Sequence, residues 1–511
     1  MGIVHKDGFK LSLVSYFGLG LGYVNRVLLF PNYLSTEQIG LANILLSVAL
    51  IYAQFSALGL WGIILRFFPF FRNKEKQHHG FLFWASILMT VGFVFTTLVF
   101  LLFKPLVVSY FSAQAKLLVD YYYYIIPLGL ATMFFMVYDS YLRSMLKTVV
   151  PSFINEVVLR LMVMVSIGLY AFKLIDFHLF VIIFVGVNCS VAIFVIGYTA
   201  FLGHLFLKPS LSPTIRRLSR HMLWFGLISI LSTAGNALIT NIDTLMIAAL
   251  MGGEIVQGVK VGALHYVGIY TTVFFFTSVI LIPYRSILKI TSPLVAQHWK
   301  ERNMQAMEAL YKQVTSVLMV LGILFFMGVW VNFDNIVSFM PKDFASGKYV
   351  FLFVCLGRLF DMTTGLNGVI TVTSKKYRYD LIFTGLLIVM TIGLNYLFIR
   401  TYDLGINGAA IATMTTLVVY NVLRLFFVRY FFNMQPFTRS NIWVLGIGIA
   451  CFCLNYFIPF MWNRYIDILF RSSITACLFL GPIVLFKLVP DVNVFVVKFL
   501  ASLGIRLKFL E

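Results

Sequence analysis

The sequence predicts an all-α, polytopic membrane protein with fourteen transmembrane helices. Three observations carry that prediction. Of 511 residues, 60% are hydrophobic and only 11% are charged, where soluble domains carry about 25% charged residues. The apolar residues fall in blocks of about 20, the length of helix that spans hydrocarbon. Lipid cannot hydrogen-bond a backbone, so each block must satisfy its own amides as a helix; transmembrane barrels alternate every second residue, and these blocks do not. Finally, 39 Lys and Arg outnumber 19 Asp and Glu and gather on alternate connections, as the positive-inside rule requires.

In chain order the spans are expected at 11–31, 38–66, 81–103, 118–142, 152–172, 178–203, 222–249, 263–285, 312–333, 348–370, 380–400, 405–430, 441–460 and 469–488. Turn-forming residues punctuate them: Pro31-Asn32, Lys104-Pro105, Lys208-Pro209, Gly252-Gly253, Pro341 and Pro436. With the N-terminus in the cytoplasm, 27 basic residues fall in cytoplasmic segments and 9 in external ones. The count treats Arg26, Arg160 and Arg358 as lying inside spans and assigns basic residues nearer span ends, such as Arg424, Arg429 and Arg471, to the adjoining segments. A miscounted span would invert every later loop and erase this bias, so both termini are expected to be cytoplasmic.

The same bias accounts for the net charge of +20 without nucleic acid. No cleavable signal peptide is expected: Met1–Lys10 is short and polar, and no small-residue cleavage site follows the block from Leu11. Cys189, Cys355, Cys451, Cys453 and Cys477 all lie in apolar blocks and read as small hydrophobes. The longest connections, 204–221 and 286–311, are too short for a folded soluble domain. That weighs against a membrane enzyme such as a polysaccharide polymerase or ligase, which needs large external loops and paired external carboxylates; Asp467 reads as a lone acid there.

The best boundary is the basic, proline-containing connection HLFLKPSLSPTIRRLSRH at 204–221. Six spans precede it, six follow, and two more close the chain. The expected domains are therefore 1–210, 211–433 and 434–511, with a duplicated transporter and an unduplicated bundle as the alternatives. The tail from Pro490 mixes apolar residues with Lys498, Arg506 and Lys508 and is expected to form an interfacial helix.

Four stretches carry a family resemblance: GLWGIILRFFPFF (Gly59–Phe71), IPYRSILKITSPLVAQHW (Ile282–Trp299), GLNGVITVTSKKYRY (Gly365–Tyr379) and YDLGINGAAIAT (Tyr402–Thr413). In this order and spacing the chain resembles the Wzx-type polysaccharide and O-antigen flippases of the multidrug/oligosaccharidyl-lipid/polysaccharide (MOP) exporter superfamily, over nearly its whole length. The resemblance implies a V-shaped pair of six-helix lobes around a central cavity, working by alternating access. It implies a monomeric transporter, not an enzyme. Its substrate would be a polyprenyl-diphosphate-linked oligosaccharide carried across a bacterial inner membrane for surface polysaccharide or lipopolysaccharide synthesis. Membrane lipids and polysaccharide polymerase machinery would be its partners. A multidrug/cation antiporter or a lipid II flippase of the same superfamily is the alternative; such antiporters usually have twelve spans.

An ionisable residue at mid-membrane costs roughly 2.5–3.5 kcal/mol or more, so each is a functional hypothesis. Arg suits a diphosphate because it stays charged and binds two oxygens at once. Arg358 has Asp361 one turn later, and the two either line a substrate site or neutralise each other. Arg26, after Asn25, either lines the cavity or snorkels to the interface; lipid II flippases resemble this chain in placing an Arg here. Glu156 and Arg160 are spaced as an ion pair. Arg66, Arg143 and Arg285 end spans on the cytoplasmic side, where they serve topology or ring a portal for an anionic head group. Asn236, Thr240 and Asp243 share one helix face that either carries Na+ or H+ or makes a helix contact. No other cofactor is expected: the histidines lack metal spacing, Gly18-Leu19-Gly20 lies within a span, and no nucleotide-binding loop occurs. His78-His79 reads as a solvated loop pair.

Overall fold

The computed structural model describes residues 2–112, 115–210, 213–252, 254–256, 259–376, 378–458 and 463–502. Among these, 11 helices are long and apolar enough to cross a membrane, and a bent pair, Lys342–Thr364 with Asn367–Thr373, makes 12 when counted as one span. The chain is a multi-pass, all-helical membrane protein apart from one short hairpin, β1 (Glu254–Val256) against β2 (Val259–Val261). The two remaining expected spans fall on Arg439–Asn455, which has 17 residues, and on the long helix Pro213–Leu250, whose stretch Thr240–Leu250 is a short apolar helix.

Two compact units pack separately, Met1–Thr271 and Thr272–Glu511. This packing division falls inside one helix and is distinct from a division by repeat at 204–221. The first unit contains α1 (Gly2–Tyr23), α2 (Thr36–Ser56), α3 (Leu60–Phe67), α4 (Phe81–Leu102), α5 (Ile125–Ser144), α6 (Leu159–Ala171), α7 (Phe177–Phe201), α8 (Pro213–Leu250) and the start of α9 (Ala263–Glu301). The second contains the rest of α9, α10 (Met304–Val331), α11 (Lys348–Thr364), α12 (Asn367–Thr373), α13 (Arg378–Asn395), α14 (Gly405–Phe432), α15 (Arg439–Asn455), α16 (Arg464–Leu485) and α17 (Pro490–Ser502).

Local signals explain the helix starts. Ser35 and Gln38 form a capping box that satisfies two orphan amides of α2. Asp176 caps α7 through the Leu179 amide, and Asn463 caps α16. The expected span 38–66 is broken: Leu58 (φ 45) and Gly59 (φ 72) end α2 and restart the chain as α3. Pro490–Ser502 is helical, as the tail predicts, and Gln313 donates to its Asp491 at 2.9 Å.

The His78-His79 expectation needs correction for His78, which is 2% exposed. Its ring is enclosed by Phe68, Tyr141 and Phe206 and stacks on His204, centroids 5.3 Å apart. The Asn73 amide donates to His78 Nδ1 at 3.1 Å. That puts the His78 proton on Nε2, which donates to His204 Nδ1 at 3.1 Å. Tyr141 donates to the His204 carbonyl at 3.0 Å. The aromatic wall, invisible as a local pattern, drives this loop inside.

Candidate functional site

In the second unit the α11–α12 break builds a polar site. Gly365 (φ 40, ψ −84) turns the chain between the two helices, which meet at 52°. A broken helix frees backbone groups inside the membrane, and these need polar neighbours. Asn421 of α14 supplies a hub. Its amide nitrogen donates to Asp361 Oδ1 at 2.9 Å, and its oxygen accepts from Thr364 Oγ1 at 3.0 Å and Asn367 Nδ2 at 3.1 Å. Asn421 is 1% exposed.

Arg358 and Asp361 therefore do not neutralise each other: among the described residues no ion pair joins them. The Arg358 guanidinium lies 5.7 Å from the Phe274 ring centre, and its buried Nε finds no hydrogen-bond partner. Arg424, one turn beyond Asn421, is instead paired with Asp380 and stacked 4.4 Å from the Tyr420 ring centre. A Cβ at Gly368 would sit 2.6 Å from the Arg424 guanidinium, so the glycine makes room for it. Of the two cations, Arg424 is matched by a carboxylate and Arg358 is not, and the buried Nε of each finds no hydrogen-bond partner. Sequence reasoning placed Arg424 at a cytoplasmic span end and missed Asn421; the polar run Thr363, Thr364 and Asn367 around Gly365 was the available signal.

In the first unit a second charged cluster joins α1 to α6. Both helices loosen into π-helix here, at Val24–Leu29 and Ile154–Val158. Such bulges are rare and re-aim the side chains beyond them. Glu156 and Arg160 form the expected ion pair at 2.5 Å. Arg160 also donates to the Gly18 carbonyl, and Asn25 Nδ2 donates to the Arg160 carbonyl at 2.8 Å. Arg26 lies within electrostatic reach of Arg160. Gly18 and Gly22 permit the approach: a Cβ on either would lie 2.8 Å from Glu156 and 2.9 Å from Arg160, respectively.

The other expected residues stand apart. Arg66 is exposed, with its guanidinium 4.6 Å from the Phe225 ring centre. Arg143 is exposed and pairs with Asp139 at 2.7 Å, while Arg285 is exposed on α9. Asp243 is 7% exposed and accepts from the Tyr270 hydroxyl at 2.6 Å, whereas Thr240 is exposed. The Asn236 side chain lies outside the described residues. Among the described residues no three His, Cys, Asp or Glu converge as metal ligands. Asp467 pairs with buried Arg471 at 2.7 Å and accepts from Asn335. The four-residue spacing was present in the sequence, but Arg471 was assigned to the external surface.

Comparisons with known proteins agree with this fold. A family model described as polysaccharide biosynthesis protein matches residues 4–299. No curated protein matches the sequence. The lipid II flippase MurJ, in an inward closed conformation, superposes with a TM-score of 0.68 at 15% identity, covering 93% of this chain and 99% of that one. An inward-facing multidrug resistance MATE family transporter of the MOP superfamily gives a TM-score of 0.61 at 16% identity, covering 82% and 94%. An outward-facing one gives 0.54 at 15% identity, covering 84% and 96%. With more than half its length matched by that family model, the chain belongs to the polysaccharide biosynthesis protein family, on the fold shared by MurJ and the MATE transporters of the MOP superfamily.

Proposed function

We propose that this protein is a flippase that moves a polyprenyl-diphosphate-linked oligosaccharide across a bacterial inner membrane for surface polysaccharide synthesis. The observation that carries the reading is Arg358: a cation held among spanning helices with a buried donor unused, in a chain of the polysaccharide biosynthesis family. An anionic head group cannot cross hydrocarbon unaided, and a guanidinium with spare donors gives a diphosphate charge-assisted hydrogen bonds. The Arg26–Glu156–Arg160 cluster supplies a second cation along the path. Arg66, Arg143 and Arg285 are assigned to the cytoplasmic mouth.

In this reading the chain crosses the membrane fourteen times with both ends cytoplasmic, and lobes 1–210 and 211–433 alternate access while 434–511 packs beside them. Asp243, Asn236, Thr240 and Asp361 are assigned to coupling with Na+ or H+. No catalytic residue is assigned. The test is genetic: deletion should abolish surface polysaccharide and accumulate its lipid-linked repeat unit, with growth unimpaired. The MurJ likeness in fold supports a second reading, lipid II transport, in which deletion instead arrests cell-wall synthesis.

A further inference from the structure

An apolar cleft of about 220 Å³ opens between α3, α4 and α8, apart from both charged clusters. Leu60 and Ile63 line one wall, Phe81, Ala85 and Val91 a second, and Met222 the third; Ser219 is the one polar lining residue. From Phe81 to Val91 the α4 wall runs ten residues, about 15 Å at the helical rise. That is half of a hydrocarbon core of about 30 Å, the depth of one leaflet.

The Phe81 end of the slot carries a tryptophan, a residue type that concentrates at the headgroup boundary. Trp84 lines the cleft and donates to the Ser210 carbonyl at 2.9 Å. Cations stand toward the Phe81 end, where Phe68 and Phe71, just past Arg66, pack on Phe81. Arg66 lies one turn beyond Ile63 and against Phe225, itself one turn beyond Met222. Exposed Arg220 adjoins Ser219. Neither has an acidic partner among the described residues. The cleft thus presents an apolar slot one leaflet deep beneath uncompensated positive charge.

We infer that this cleft is a binding site for one anionic phospholipid, its acyl chain between α3, α4 and α8 and its phosphate at Arg66 and Arg220. A transported polyprenyl chain outruns a slot this short, and a zwitterionic lipid gains less from the cations. The inference stands whether or not the flippase reading holds.

The full chain in detergent, titrated with phosphatidylglycerol or phosphatidylcholine of the same acyl composition, tests it by native mass spectrometry. One phosphatidylglycerol should bind in preference to phosphatidylcholine. Arg220→Gln should cut that preference about fivefold, as one juxtamembrane cation is worth about 1 kcal/mol. Ala85→Phe, which fills the slot, should abolish the tight copy. Val91→Phe on the exposed lip narrows the slot without disturbing buried packing and should weaken it. Equal binding of the two lipids, undiminished binding to the Val91 variant, or displacement of phosphatidylglycerol by an equal concentration of polyprenyl phosphate would each overturn the assignment.

Discussion

The Asn421 side-chain amide donates to Asp361 Oδ1 at 2.9 Å, while Arg358, one helical turn before Asp361, makes no ion pair with that carboxylate among the described residues. The buried Nε of Arg358 finds no hydrogen-bond partner. Replacing Asn421 by Leu should leave Asp361 and Asn367 short of a partner, each loss costing about 1–3 kcal/mol when buried, while Thr364 keeps its bond to the Asp361 carbonyl. The expected outcome is a lower unfolding midpoint in detergent, together with loss of transport. An unchanged midpoint would mean the hub contributes nothing to holding the break at Gly365.

The α1–α6 contact makes a paired prediction. Gly18→Ala places a Cβ 2.8 Å from Glu156, whereas Gly20→Ala meets nothing within 4 Å. Overpacking of this kind costs about 1–3 kcal/mol. Thermal unfolding should therefore separate the two variants, with Gly18→Ala destabilised and Gly20→Ala close to wild type. Equal behaviour would contradict the packing described at Arg160 and Glu156.

Much of this was legible in the sequence. Composition and block length fixed a helical membrane protein, and the Glu156–Arg160 spacing announced its ion pair. What was not legible depended on contacts between distant segments. Asn421 is one polar residue in an apolar helix until α11 and α12 meet it. Arg471 looks external until Asp467 and the Ile458 carbonyl enclose it. His78 looks solvated until Phe68, Tyr141 and Phe206 close around it. Helix breaks also hid, because Leu58-Gly59 and Gly365 interrupt blocks whose hydropathy runs on.

The His78–His204 bond predicts a pH dependence. Burial and the nearby charges of Lys74, Arg72 and Lys147 hold the His204 pKa below its ordinary 6.5. The bond needs Nδ1 of His204 unprotonated, so the neutral ring is the one the fold favours. A base whose folded pKa is depressed stabilises above its unfolded value and loses that contribution as pH falls through the folded value. Hydrogen exchange at 73–80 and 203–206 should accelerate as pH falls below the ordinary 6.5, after correction for intrinsic rates. His204→Phe should weaken the dependence, leaving the share carried by buried His78; an identical profile in that variant would locate the titration elsewhere.

Asp243 and Tyr270 separate coupling from packing. If Asp243 couples an ion to transport, Asp243→Asn should make export independent of the Na+ or H+ gradient. Tyr270→Phe, which removes the hydroxyl donor at 2.6 Å but keeps the carboxylate, should preserve gradient dependence. Transport by Asp243→Asn that still follows the gradient would exclude this residue.

The central claim is that Arg358 meets the anionic head group during translocation. The most direct measurement uses the purified full chain in proteoliposomes, following passage of a fluorescent polyprenyl-diphosphate oligosaccharide by its accessibility to a membrane-impermeant quencher. Wild-type protein should move the lipid faster than protein-free vesicles. Arg358→Gln should slow it roughly 10- to 100-fold, as loss of charge-assisted hydrogen bonds of about 1.5–3 kcal/mol requires, and Arg358→Lys should retain part of the rate. Wild-type rates in the Arg358→Gln protein, or no translocation above empty vesicles by the wild type, would contradict the account.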